Sequence, residues 1–151
     1  MTETTQQDTF LSSAQLLERA ASRCREAEKD LRKKLESVSE SKRLEISNVA
    51  HQEHLLACAL EGYIKHAPKK VLNTCLQYQF DSSLQKEIHS HSVDDAYEQL
   101  TQLNEDLVKS FHDQAMKAGS PSFSEAMENV SREINAVNRR ISMIRITAQD
   151  L

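Results

Sequence analysis

Turns are what this chain is short of. Only two glycines and two prolines stand among its 151 residues, far below an ordinary usage of roughly 12% for the two together. A sandwich, barrel or propeller needs a tight turn every 8 to 12 residues or so, and a phosphate-cradling loop needs glycine where backbone approaches ligand. Neither is compatible with this inventory, and an all-α fold of long helices remains. Hydrophobic residues at 38% are enough for one core at this length. With 28% charged residues and a net charge of −4, no overall field draws the chain to nucleic acid or anionic lipid.

Cys24, Cys58 and Cys75 are an odd number at wide spacings, with no Cys-x-x-Cys pair to suggest zinc or redox chemistry, and a reducing compartment is the simpler reading. Cys58 and Cys75 fall at apolar positions, where a thiol behaves as a small hydrophobe. No Gly-x-Ser-x-Gly elbow is present, so no catalytic nucleophile is assigned. Met1 to Ser12 carry neither a basic start nor an apolar stretch; they are expected to form a flexible N-terminal tail, not a secretory signal. No apolar run approaches the roughly 20 residues of a membrane span. The expected setting is cytoplasmic.

The clearest periodicity is C-terminal. Phe123, Met127, Val130, Ile134, Val137, Ile141, Ile144, Ala148 and Leu151 alternate steps of four and three, a coiled-coil-like heptad seam. Pro121, then Ser122 with Glu125 three residues on, predicts a capping box and a helix over 122–149. Upstream, Val93, Ala96, Leu100, Leu103, Leu107, Phe111 and Ala115 form another stripe, opened by Ser92 and Asp95 and predicting a helix over 92–118. Gly119 is expected to end that helix in the left-handed conformation. So short a join makes the two helices antiparallel.

The N-terminal half repeats the plan. Leu17, Ala20, Cys24, Ala27, Leu31, Leu35 and Val38 make one stripe, and Ile46, Val49, Glu53, Leu56, Leu60 and Tyr63 the next, about one residue out of phase. Between them Ser37 and Glu40 suggest a capping box, with neither Gly nor Pro. Two readings stand open: a hairpin of helices over 13–38 and 40–66, or one continuous helix from 13 to 66 serving an extended coiled-coil adaptor, since a stutter can be absorbed without a break. Matched lengths favour the hairpin, each helix being about 40 Å long at 1.5 Å per residue.

Pro68 suits a first helical turn, and Val71, Leu72, Cys75, Leu76 and Phe80 predict a short helix over 69–80. The connection to residue 92 is longer than a hairpin needs and can carry the chain back along the helices, making the second and third long helices parallel. The stretch from His51 to Phe80, a long helix followed by a proline-initiated short one and a crossover, resembles uncharacterised bacterial ferritin-like (rubrerythrin-like) four-helix-bundle proteins. That resemblance implies a one-crossover bundle, and in metal-binding members a Glu-x-x-His on each of two helices plus a Glu on each of the others. No Glu-x-x-His occurs here: Glu53 is followed three residues on by Leu56, Glu105 by Val108 and Glu133 by Ala136. The diiron motif is missing, and its oxidase or peroxidase activity is not implied.

Glu53 stands in an apolar stripe beside His51 and His54, and a buried carboxylate must be paired, protonated or metal-bound. It is expected to sit at the stripe's edge or to pair with an arginine of a neighbouring helix. The alternative is a divergent metal-binding oxidoreductase site of Glu53, His54, His51 and Glu28, or Glu26, for iron, manganese or zinc. His89 and His91 in the crossover, with His66, extend the metal question to zinc or nickel. Arg132, Arg139, Arg140 and Arg145 make the last helix basic, and Arg19, Arg23, Arg25, Lys29, Arg32, Lys33 and Lys34 do the same for parts of the first. Intervening acids such as Glu28 before Arg32, and aromatics at only 5%, point to an ion-paired surface over a nucleic-acid reader.

Ala126, Ala136, Met143 and Ile146 widen the apolar face of the last helix. That helix is either the most buried or a contact for a homodimer or helical protein partner, with Ala136, Met143 and Ile146 as interface candidates. The reading is a single helical domain over 13–151: a four-helix bundle with a short crossover helix, serving as a non-catalytic, self-associating interaction or structural module. No cofactor is expected in it.

Overall fold

The periodic stretches form helices that pack on one another. The computed structural model describes residues 9–78, 88–117 and 119–149. In chain order the helices are α1 (Ser13–Arg32), α2 (Glu40–His66), the single turn α3 (Lys69–Leu72), α4 (Val93–Lys117) and α5 (Pro121–Gln149). Beside them the described residues hold one antiparallel ribbon, β1 (Thr9–Ser12) against β2 (Cys75–Tyr78), with Thr9 opposite Tyr78 and Ser12 opposite Cys75. No described helix is long and apolar enough to cross a membrane.

Each long helix lies against two others: α1 against α2 and α4, and α5 against α4 and α2. Hydrogen bonds give the directions. Arg43 Nε donates to Leu35 O at 3.0 Å beside the first turn, while Arg25 reaches Glu61 farther along, so α1 and α2 are antiparallel. Ser124 Oγ to Ala115 O at 2.8 Å and Ser131 Oγ to Val108 O at 3.2 Å make α4 and α5 antiparallel. Tyr97 Oη donates to Glu45 at 2.7 Å and Asn104 Nδ2 to Glu53 at 2.9 Å. Residue numbers rise together across that pair, so α2 and α4 run in the same direction.

The stripes meet in one core. Leu17, Ala20, Cys24, Ala27 and Leu31 of α1, Ile46, Val49, Leu56 and Leu60 of α2, and Leu100, Leu103, Leu107 and Phe111 of α4 are buried with Met127, Val130, Ile134, Val137 and Ile141 of α5. Each large side chain so buried contributes about 1.5–3 kcal/mol. Tyr97 joins them at 1% exposure, its ring under the Arg145 guanidinium 4.5 Å away. Burial, then its bond to Glu45, raises the phenol far above its ordinary pKa.

The boundaries differ from expectation in instructive places. Helix α1 stops at Arg32, short of residue 38, and the chain turns through a 3-10 segment at Leu35–Ser37; the continuous helix over 13–66 does not form. Serines do here what glycine or proline does elsewhere. Ser37 Oγ donates to Lys34 O at 3.1 Å, and Ser39, not Ser37, caps α2 by accepting from Lys42 N at 3.4 Å. Ser120, not Ser122, caps α5, accepting from Phe123 N at 3.5 Å, with Pro121 at the first helical position. Neither described glycine has a positive φ, so Gly119 does not supply the left-handed cap assigned to it.

The expected helix over 69–80 is one turn, α3, followed by strand β2; residues 79–80 lie outside the described residues. Thr74 Oγ1 bonds back to Lys70 O at 2.8 Å and Ser13 N donates to Thr74 O at 2.9 Å, so the polar groups past α3 are taken by a side chain and by the start of α1. Residues 9–12, placed in the tail by the sequence, pair with β2; residues 1–8 lie outside the described residues. At the far end, Ser92 and Asp95 open α4 as the sequence suggested: Asp95 N donates to Ser92 Oγ at 3.1 Å, and His91 N, one residue before the cap, donates to Asp95 Oδ2 at 3.0 Å. The His91 N–H first, then the Gln99 amide at 3.1 Å, hold the Asp95 carboxyl below its ordinary value.

Candidate functional site

Among the described residues a polar cluster lies where all four long helices meet, and each supplies one side chain to it, that of α5 being half-buried. Glu53 of α2 is fully buried. Asn104 of α4, also fully buried, donates Nδ2 to Glu53 Oε1 at 2.9 Å and lies 3.5 Å from Asn138 Oδ1 of α5. The Cys24 thiol of α1, a weak donor, faces the same carboxyl. The helical period explains the meeting: Asn104 falls four after Leu100 and three before Leu107, and Asn138 four after Ile134 and three before Ile141, so both share faces with core residues.

The cluster is under-satisfied. Glu53 Oε2 and Asn104 Oδ1 are buried with no hydrogen-bond partner, each costing about 1–3 kcal/mol when it is left so. Burial raises the Glu53 pKa from 4.5 to about 7, against the opposing hydrogen bonds of Asn104 and Cys24 and with help from the Glu28 charge. Both orphan atoms are acceptors; a proton on Glu53 turns one of them into a donor. Burial, then the Glu53 charge, pushes the Cys24 thiol upward, so the sulfur stays protonated. Glu53 is therefore neither at the stripe's edge nor paired with an arginine, as the sequence suggested; an amide on the helix running parallel to α2 is its partner.

The other candidate ligands do not join it. Glu28 and His54 meet on the outer edge between α1 and α2, with Oε1 3.2 Å from Nδ1, and the His51 ring stacks on His54 at 6.2 Å. Arg25 Nη1 stands 3.3 Å from the same Nδ1, a fixed positive charge where a cation would have to bind. Glu26 pairs with Arg23 at 2.7 Å. His89 and His91 lie edge to face at 5.4 Å. His112, exposed on α4, contacts Glu128 at 3.1 Å, and His66 lines a cleft of about 490 Å³ between the end of α2 and the start of α5. Among the described residues no three His, Cys, Asp or Glu side chains are placed to hold a metal ion. One carboxyl, two amides and a protonated thiol do not fit a pair of irons, which takes carboxylates and imidazoles from four helices.

The surface cations are partly engaged. Arg32 pairs with Glu28 at 2.9 Å as the spacing suggested, Arg140 donates to Gln52 at 2.7 Å and Arg145 covers Tyr97. Cys58, placed by the sequence at an apolar position, is exposed, whereas Cys24 is buried. Of the interface candidates, Ala136 is half-buried while Met143 and Ile146 are 60% and 53% exposed. Asn104, Asn138, Glu45 and Tyr97 were not singled out from the sequence; the stripe-sharing positions of the two asparagines are the signal that marks them. Compared with protein-family models, curated proteins and solved structures, the chain matches none.

Proposed function

We propose that the four long helices form a one-crossover bundle of ferritin-like topology whose centre has exchanged metal chemistry for a polar register, and that the protein is a non-catalytic, self-associating interaction or structural module. The pairing of α1 with α2 and of α4 with α5, together with the shared direction of α2 and α4, supports the topology. One observation carries the functional reading: the centre holds Glu53, Asn104, Asn138 and Cys24, a set suited to fixing which helices meet at which level and unsuited to binding two metal ions. A buried polar contact of this kind selects register and partner at some expense of stability. Met143 and Ile146, large apolar side chains left exposed on α5, support self-association through that helix.

Two measurements test this. Metal analysis of untagged protein purified without added metal is expected to find no stoichiometric iron, manganese or zinc; near-stoichiometric metal overturns the module reading in favour of a divergent metal-binding oxidoreductase. Solution mass at micromolar concentration is expected at a multiple of 17.2 kDa, reduced to one chain by Met143→Glu with Ile146→Glu. A monomeric wild type refutes self-association.

A further inference from the structure

The outer edge shared by α1 and α2 carries a line of ionisable side chains that the core does not use. His54 and Cys58 are one turn apart on α2, with Nε2 3.6 Å from Sγ. Across the ring, Nδ1 is 3.2 Å from Glu28 Oε1. Arg25 brings Nη2 to 3.7 Å from Sγ, and it is held there by Glu61, whose two oxygens accept at 2.6 and 2.9 Å. Cys58 is exposed, so the sulfur is open to a reagent from solvent.

These are the parts an active thiol requires: a base at the sulfur, a third group that orients the base, a nearby positive charge and access. Nδ1 has both Glu28 Oε1 and Arg25 Nη1 within reach, at 3.2 and 3.3 Å; in the tautomer whose Nδ1–H donates to Glu28, the lone pair of Nε2 faces the thiol. Arg25 then sits beside the Glu28 carboxylate, 3.8 Å from it, and opposes negative charge developing on Sγ. The same cation argues against a metal in this edge, leaving the nucleophilic reading.

We propose that Cys58 is a thiol–disulfide exchange site for low-molecular-weight disulfides, with His54 as its base, Glu28 as the residue that positions His54, and Arg25 as the charge beside the sulfur. The Cys58 proton passes to His54 Nε2 as Sγ attacks one sulfur of the disulfide. The Sγ–S bond forms as the S–S bond of the reagent breaks, and the departing thiolate takes the proton back from the imidazolium. Cys58 is oxidised to a mixed disulfide and one half of the reagent is reduced to its thiol, so no further oxidant is needed. The adduct projects from the outer face of α2 and leaves the core packing intact.

The test uses the full chain and excess oxidised glutathione at neutral pH, quenched in acid and read by intact mass and peptide mapping. One half-disulfide is expected on the peptide carrying Cys58, and none there in Cys58→Ser. His54→Ala is expected to slow the exchange about tenfold or more, and added imidazole to restore it, a rescue that a merely structural ring would not show. Glu28→Gln, which keeps the side-chain shape, is expected to slow it by a smaller factor and serves as the second variant should His54→Ala fail to fold by circular dichroism. Modification at Cys24 or Cys75 with Cys58 left free overturns the proposal. So does a His54→Ala or Glu28→Gln rate equal to wild type, or a slowed His54→Ala that imidazole does not rescue.

Discussion

Glu53 and His54 are consecutive residues in different media. A step of about 100° along the helix puts the first side chain at zero exposure beside Asn104 and Cys24 and the second in a half-exposed chain of charges with Glu28 and Arg25. Inside, one carboxyl has a single close donor and an oxygen without partner. Outside, every charge in the line has a partner and water besides. Polar residues of similar type therefore do opposite work: the inner one selects how helices meet at a cost in stability, and the outer one contributes little to stability and is free to do chemistry.

The sharpest way to break this contrast is to test it on the next pair along α2. Leu56 is fully buried and Leu55 is 42% exposed. Leu56→Ala is expected to cost about 2–5 kcal/mol through lost contacts and the cavity left behind, and Leu55→Ala about 0.5 kcal/mol or less. Urea unfolding of both variants checks it; similar losses at the two sites would mean that this face of α2 does not divide inside from outside.

The second expected effect is a pH dependence carried by Glu53. Its folded-state pKa lies near 7 against 4.5 unperturbed, so between those values the folded chain keeps a proton that the unfolded chain has released. Stability from this group is fully present below about pH 4.5, declines as pH rises to about 7 and changes no further above that. At about 1.4 kcal/mol per pH unit, the decline is on the order of 3 kcal/mol. Unfolding free energies across this window should fall in wild type and flatten in Glu53→Gln. An equal slope in both would place the titrating group elsewhere.

Much of the fold is legible in the sequence, and the illegible parts share a cause. The apolar stripes of α1, α2, α4 and α5 are sums over many positions, so one misread residue does not move them. Caps are decided by single hydrogen bonds of about 1 kcal/mol, and a run such as Ser37-Val38-Ser39 offers two serines of equal merit; the choice of Ser39 depends on where Lys42 N lies. The 3-10 turn that follows α1 is likewise held by Arg43 reaching Leu35 O from the next helix. Glu53 was visible as an anomaly because it interrupts a stripe, whereas Asn104 and Asn138 sit beside stripes that are complete without them. The line of Glu28, His54 and Cys58 joins two helices, and spacing within one helix reveals only its His54–Cys58 half.

Third in size is the amide opposite Glu53. Asn104→Leu removes the close donor to a carboxyl that cannot reach water, and is expected to cost about 1–3 kcal/mol at neutral pH. Below pH 4.5, where Glu53 is neutral in both states, the loss should shrink. Pairing it with Glu53→Leu should recover most of the stability, since two apolar residues leave nothing unsatisfied. A double variant no more stable than Asn104→Leu alone would show that the cost comes from packing, not from the stranded charge.

The smallest expected change lies on the outer edge, and its smallness is the point. Arg25→Gln breaks the pair with Glu61 at 2.6 Å and the contact with His54. Its side chain and that of Glu61 are 39% and 47% exposed, so water replaces most of what is lost and the unfolding free energy should fall by less than about 1 kcal/mol. The Glu61 carboxyl, held below its ordinary value chiefly by the Arg25 hydrogen bonds, should move back up, which carboxyl NMR titration reads directly. A loss comparable to that of Asn104→Leu would mean that the edge is a structural brace between α1 and α2, and the division between an inner layer that specifies and an outer line that is free to react would not hold.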